Sequence, residues 1–240
     1  MSLLKKRKNK KLNTDSAKYG VNLVSELYPT SAIAEQFRTV MTNISFANVD
    51  NKSQSIMITS ADPSEGKSTF SANLAVTYAK QGRNVVLIDA DMRKPTIHKT
   101  FNVGNQKGLS TILSGNSTIE DTIKYTSIDN LNVITSGPIP PNASALLGNN
   151  KFSEIIDKFS KPNDLIIVDV PPVNTMTDAS IISTSVDGTI MVIPQGIAEK
   201  KGVRQAVSQL RKVNANILGA VMNMSHEHIV DDYYYYYYSK

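Results

Sequence analysis

The chain has 240 residues, 40% of them apolar, with 26 Lys or Arg against 21 Asp or Glu and no cysteine. That length supports one sizeable core, and the lack of thiols excludes disulfides, thiolate metal sites and cysteine nucleophiles. No stretch approaches the roughly 18 apolar residues of a membrane span and no apolar leader opens the chain, so a soluble, cytoplasmic protein is expected.

The formal charge of +5 is a property of the start. Lys5, Lys6, Arg7, Lys8, Lys10 and Lys11 leave 20 basic side chains against 21 acidic ones elsewhere. Residues 1–27 therefore read as a basic, flexible segment. It is either simply solvated or able to touch anionic lipid, at about 1 kcal/mol per basic residue near the surface, or nucleic acid. A domain over residues 28–225 and a tail over 226–240 complete the expected organisation.

From residue 31 to 47, Ile33, Phe37, Val40, Met41 and Ile44 recur at three- and four-residue spacing, which predicts a helix with one buried face. Glu35 and Arg38 share a face of that helix, in the simplest case as a surface ion pair. Strands are predicted at 55–60, 84–90, 131–135, 164–170, 187–193 and 216–222, and further helices at 67–81, 117–124, 144–160, 178–185 and 199–213. The strands are Ile/Val/Leu-rich and do not alternate, as parallel strands covered on both faces should be. The fold class is α/β: a P-loop type, doubly wound, mostly parallel sheet with helices on both faces and its ligand at the carboxyl ends of the strands. Gly137-Pro-Ile-Pro-Pro-Asn142 reads as an ordered proline turn.

Between the first strand and its helix, Asp62, Pro63, Ser64, Glu65, Gly66, Lys67, Ser68 and Thr69 match the phosphate loop G-x-x-x-x-G-K-[ST], with Ala61 at the first glycine position. Backbone amides of such a loop point at an anion, and the helix N-terminus adds its dipole. Lys67 is expected to meet the β- and γ-phosphates of ATP and the Ser68 hydroxyl to hold Mg²⁺. A chance helix start is the competing explanation. The strand before, the helix after and the carboxylates that end later strands argue against it.

Asp89 and Asp91 follow Val-Val-Leu-Ile, and Asp169 follows Leu165-Ile-Ile-Val. A strand closing in Asp puts the carboxylate at the rim of the sheet, within reach of Mg²⁺ directly or through water. Asp89 and Asp91 share a face of their strand, and Asp89 is the candidate for accepting a proton from an attacking hydroxyl. Alternatively one of the two, Asp91 among them, only caps a helix or pairs with Arg93 or Lys94. Asn223, ending the last strand, could bond an adenine edge or be a turn residue. His98, His226 and His228 read as surface histidines.

The phosphate loop, the acid pair in Leu87-Ile-Asp-Ala-Asp-Met-Arg-Lys-Pro95, Asp169-Val-Pro-Pro172, the proline segment and the tyrosine-rich end together resemble the bacterial tyrosine kinases of capsule and exopolysaccharide assembly, over residues 28–240. The closest type is a cytoplasmic kinase activated by a separate membrane adaptor. The resemblance implies ATP-dependent autophosphorylation, in trans, on Tyr233, Tyr234, Tyr235, Tyr236, Tyr237 and Tyr238, and control of polysaccharide export. It assigns Lys67, Asp89, Asp91 and Asp169 to catalysis, and Ser68 with the three acids to Mg²⁺. It further implies recruitment to the inner membrane face, a tyrosine phosphatase that resets the tail, and no nucleic-acid partner.

The family's E-x-x-R-x-x-R helix builds a ring of subunits. Glu35 and Arg38 fit it, but Met41 stands where the second arginine belongs. Ser64 also departs from the family, which commonly has glycine there, and is tolerable if its φ is negative. Two rivals remain. A partition- or septum-type ATPase acting on membrane or DNA needs a second loop lysine where Asp62 stands. A non-catalytic nucleotide sensor would have little use for the three acids.

Overall fold

The computed structural model describes residues 16–47, 54–148, 150–159 and 164–225. In chain order the elements are α1 (Ser16–Tyr19), α2 (Val24–Leu27), α3 (Ala32–Ala47), β1 (Ser55–Ser60), α4 (Lys67–Lys80), β2 (Asn84–Asp89), α5 (Ile97–Thr100), α6 (Leu109–Leu113) and α7 (Ile119–Thr122). They continue with β3 (Ile123–Tyr125), β4 (Leu131–Ile134), α8 (Ala143–Leu147), α9 (Lys151–Lys158), β5 (Asp164–Asp169), α10 (Asp178–Ile182), β6 (Gly188–Pro194), α11 (Lys200–Lys212) and β7 (Ile217–Asn223).

The seven strands form one sheet in the order β3-β4-β2-β5-β1-β6-β7. All neighbours are parallel except β3, which runs antiparallel to β4 at one edge. Strand β1 is buried throughout, and β2 and β5 are buried after their first residue, which explains why their sequences do not alternate. One core beneath the sheet gathers Leu109, Phe152, Ile155, Ala179, Ala206 and Leu210. The other gathers Ile44, Phe70, Leu74 and Tyr78 from α3 and α4. Each fully buried Ile, Leu or Phe contributes about 1.5–3 kcal/mol, so the central strands cannot slip register.

Three expectations are corrected. The helix expected over 144–160 is two helices, α8 and α9, with Gly148 closing the first. The helix expected over 117–124 ends at Thr122, and Ile123 turns extended to begin β3. The flexible segment expected over 1–27 is not uniform: residues 1–15 lie outside the described residues, whereas 16–27 are fastened to the fold. There Asn73, fully buried on α4, accepts from the Ser25 amide at 2.9 Å and donates to the Asn22 carbonyl at 2.9 Å. Thr77 Oγ1 meets Ser25 Oγ, and Lys80 pairs with Glu26 at 3.0 Å. Among the described residues no helix is long and apolar enough to cross a membrane.

Candidate nucleotide site

Strand β5 lies between β2 and β1, so the sheet order itself assembles the site. Asp169 stands opposite Asp89 on one side and Ile58 on the other, two residues before β1 runs into the phosphate loop. The loop closes on itself: the Asp62 amide donates to Glu65 Oε2 at 3.0 Å and Ser60 Oγ to the Asp62 carbonyl at 2.9 Å. Burial pushes the Glu65 carboxyl up, against the pull of the Asp62 amide. Gly66 has φ +91°, and a Cβ there would meet Asn223 Nδ2 at 2.1 Å, so only glycine fits. No side chain caps α4, which leaves its first amides for an anion.

Ser64 has φ +63°, the left-handed region. The condition that made serine tolerable there is not met, and the loop carries about 1–2 kcal/mol of strain that glycine would not.

Lys67 is buried and its ammonium sits among acids. It donates to Asp91 Oδ2 at 2.8 Å and to Ser68 Oγ at 3.2 Å, and lies 3.8 Å from Asp169 Oδ2. Burial alone would depress its pKa; the charges of Asp169 and Asp91 outweigh that and raise it. Asp91 Oδ1 accepts the amides of Lys94 at 3.0 Å and Arg93 at 3.4 Å. Burial favours its neutral form, but Lys67 and these amides hold the carboxyl below its ordinary range. Asp91 caps no helix: beside its pair with Lys67 it accepts the loop amides of Arg93 and Lys94, and the amides that open α5 go to Asp89.

Asp89 is fully buried and engaged at both oxygens. Oδ1 accepts the Asp91 amide at 3.2 Å, and Oδ2 accepts the amides of Thr96 and Ile97, each at 3.1 Å, at the start of α5. Burial, then the charges of Asp169 and Asp91, push its pKa well up. Asp169 accepts from Ser71 Oγ at 3.1 Å through Oδ1. Its Oδ2 is buried without a hydrogen-bond donor. Burial pushes this carboxyl up too, although Lys67 pulls the other way.

Among the described residues no three His, Asp or Glu side chains are arranged to hold an ion by themselves. Mg²⁺ does not require that, since it keeps several waters and takes one or two carboxylates plus phosphate oxygens. The undonated Asp169 Oδ2, close to Ser68, fits such an ion; Asp89 and Asp91 are committed to amides and Lys67. Asn223 Nδ2 donates to the Glu65 carbonyl at 3.1 Å and its Oδ1 accepts the Met224 amide at 2.8 Å, which fastens the side chain to the phosphate loop. Thr69 lies exposed on the first turn of α4, and Pro63 at the outer bend of the loop.

Sequence reasoning missed Ser71, one turn beyond Lys67 on the same helix face, a spacing that could have marked it. It also missed buried Asp178, which accepts from Ser144 Oγ and from Arg93 Nε at 3.4 Å. Those bonds tie α8, α10 and the loop that wraps Asp91, and no local pattern marks the residue. Glu35 and Arg38 pair with each other within the chain, Arg38 Nε to Glu35 Oε2 at 2.7 Å, and Arg38 also donates to the Pro29 carbonyl at 3.0 Å. His226, His228 and Tyr233 to Tyr238 lie outside the described residues.

A family model described as ParA: NUBPL iron-transfer P-loop NTPase matches residues 51–235. The tyrosine-protein kinase YwqD of Bacillus subtilis is 43% identical over 202 residues, covering 84% of this chain and 85% of that protein. The chain belongs to the bacterial tyrosine-protein kinases. The putative tyrosine-protein kinase CapB of Staphylococcus aureus is also 43% identical, over 204 residues, covering 83% of this chain and 90% of that protein. The crystal structure of the chimerical protein CapA2B2 superposes with a TM-score of 0.81 at 41% identity, covering 85% of this chain and 90% of that one. The cell-division ATPase MinD of Pyrococcus furiosus, from the rival class, is more distant: TM-score 0.61 and 26% identity, covering 71% of each chain. The tyrosine-kinase reading is therefore favoured over the partition or septum ATPase, and the P-loop fold class holds.

Proposed function

We propose that this tyrosine kinase transfers the γ-phosphate of ATP to Tyr233–Tyr238 of a sister subunit, and so regulates capsular or exopolysaccharide synthesis and export. Lys67 carries the reading: a buried, charged ammonium at the mouth of a loop of free amides, 2.8 Å from Asp91 and 3.8 Å from Asp169. On nucleotide binding Lys67 turns from Asp91 to the β- and γ-phosphates. The amides of 64–69 and the N-terminus of α4 hold the remaining oxygens.

Ser68 and Asp169 are the residues that would hold Mg²⁺, which when bound neutralises charge on the phosphate oxygens. Asp89 takes the phenol proton as the tyrosine oxygen attacks; burial raises its carboxyl, as a general base requires, and the role demands that nucleotide and tyrosine binding first free one oxygen from the amides of Asp91, Thr96 and Ile97. Asp91 holds Lys67 at the mouth of the loop until nucleotide arrives, and keeps the amides of Arg93 and Lys94 after the lysine turns away.

A membrane adaptor of polysaccharide export activates the kinase and brings it to the inner face of the membrane, and a tyrosine phosphatase returns the tail. Subunits meet along α3 near Glu35 and Arg38, with Met41 weakening the ring. Each phosphate adds about −1.5 to −2 charges, so a loaded tail disfavours the assembly.

Incubating the full chain with Mg·ATP, with and without an adaptor's cytoplasmic end, and mapping phosphate by mass spectrometry tests this. Modification confined to residues 233–238 is the expected result. ATP hydrolysis that rises on anionic vesicles or DNA with no phosphotyrosine would return the partition-type ATPase.

A further inference from the structure

Helix α11 carries five cations on one face. At 100° per residue, Lys200, Lys201, Arg204, Arg211 and Lys212 fall within an arc of about 120°, opposite the buried Ala206 and Leu210. Among the described residues none of the five forms an ion pair or a side-chain hydrogen bond. Five unpaired charges on 13 residues repel one another, so the face is suited to an anion. Along it runs an open cavity of about 460 Å³ lined by Val203, Arg204, Val207, Ser208, Arg211 and Lys212. An apolar wall beside two guanidinium groups matches an aromatic ring that bears a phosphate.

The occupant is set by where the chain goes next. The start of α11 lies at the rim of the nucleotide site: Asn174 Nδ2 donates to the Gly202 carbonyl at 3.0 Å and to Asp62 Oδ1 at 3.4 Å. Strand β7 ends at the same rim, where Asn223 holds the Glu65 carbonyl and its own carbonyl accepts from Gln195. From Ser225 the eight residues to Tyr233 span up to about 28 Å, and α11 is about 20 Å long. We infer that the basic face of α11 is the receptor for the tail 226–240 once its tyrosines carry phosphate.

This inference rests on the tail being the kinase's own product. Its effect is to draw a phosphorylated tail off the nucleotide site and onto the flank of the same domain. An anionic membrane is the other acidic surface such a helix could meet. Helices that lie in a lipid interface insert large apolar side chains, and α11 has none among its exposed residues. The phosphorylated tail satisfies the charge without that requirement.

The test uses a synthetic peptide of residues 226–240 phosphorylated at Tyr233–Tyr238, so it does not depend on the kinase being active. Its binding to the full chain, dephosphorylated and free of ATP, is followed by fluorescence anisotropy beside the unphosphorylated peptide. The phosphopeptide should bind and weaken as salt rises, and the unphosphorylated peptide should not. The triple charge reversal Lys200→Glu, Arg204→Glu, Arg211→Glu should weaken binding about tenfold or more, as the loss of three exposed pairs implies. Arg204→Lys, which keeps the charge but loses the guanidinium fork, should weaken binding by less than the triple variant. The inference is overturned if the phosphopeptide fails to bind or binds the triple variant equally well. It is also overturned if phosphatidylserine vesicles bind through these residues and the phosphopeptide does not displace them.

Discussion

Lys67 donates to Asp91 Oδ2 at 2.8 Å, so the cation of the phosphate loop is held by an acid 24 residues away before any phosphate arrives. Nucleotide binding has to break that pair. Asp91→Asn removes the charge that competes with phosphate, and ADP without Mg²⁺ should bind about tenfold tighter, about 1.4 kcal/mol, while tyrosine phosphorylation falls. Titration calorimetry beside a phosphotyrosine blot checks both halves.

Ser64 at φ +63° places a Cβ in the left-handed region. Ser64→Gly should relieve the loop and stabilise the unliganded protein by up to about 1 kcal/mol, the strain removed less the extra entropy of the unfolded glycine. A rise in the urea midpoint at unchanged slope is the readout.

Asn73 joins α4 to residues 22 and 25 from a fully buried position. Asn73→Ala leaves the Ser25 amide and the Asn22 carbonyl without their partner and should cost about 1–3 kcal/mol. Limited proteolysis should then cut within residues 16–27 faster than in the parent.

Burial raises both Asp89 and Asp169, with repulsion from Asp169 and Asp91 adding to the first and from Asp91 to the second. The folded chain keeps these protons after the unfolded chain has released them. Their contribution is therefore most favourable below the unfolded value, near pH 4, and declines as pH climbs toward the raised values. Asp91 is lowered and has the opposite sign: its contribution is present above the ordinary value and lost as pH falls through the lowered one. Asp169→Asn should therefore flatten the decline between pH 4 and 7, as measured by urea midpoints across that range.

The parallel core strands were legible because burial on both faces writes them as unbroken Ile/Val/Leu runs, and Gly66-Lys67-Ser68 because the turn chemistry allows few alternatives. The breaks at Thr122 and Gly148 were not, since 117–124 and 144–160 each keep residues compatible with a continuing helix. The docking of 16–27 was hidden because Val21 and Leu23, which pack on the core of α3 and α4, are too few to set a period, and the hydrogen bonds to Asn73 and Thr77 that add to them leave none. The three acids could be named from strand ends, but their division of labour could not. Asp89 binding the start of α5, Asp91 holding Lys67 and Asp169 keeping a free oxygen follow from loops far apart in sequence.

The most direct test is Lys67→Met, incubated alone with Mg·ATP and read for phosphotyrosine. With no ammonium for the β- and γ-phosphates and two buried acids left without their cation, no phosphate should reach the tail, while mixing with the unaltered chain should restore it in trans. Phosphotyrosine on the variant by itself would contradict the account.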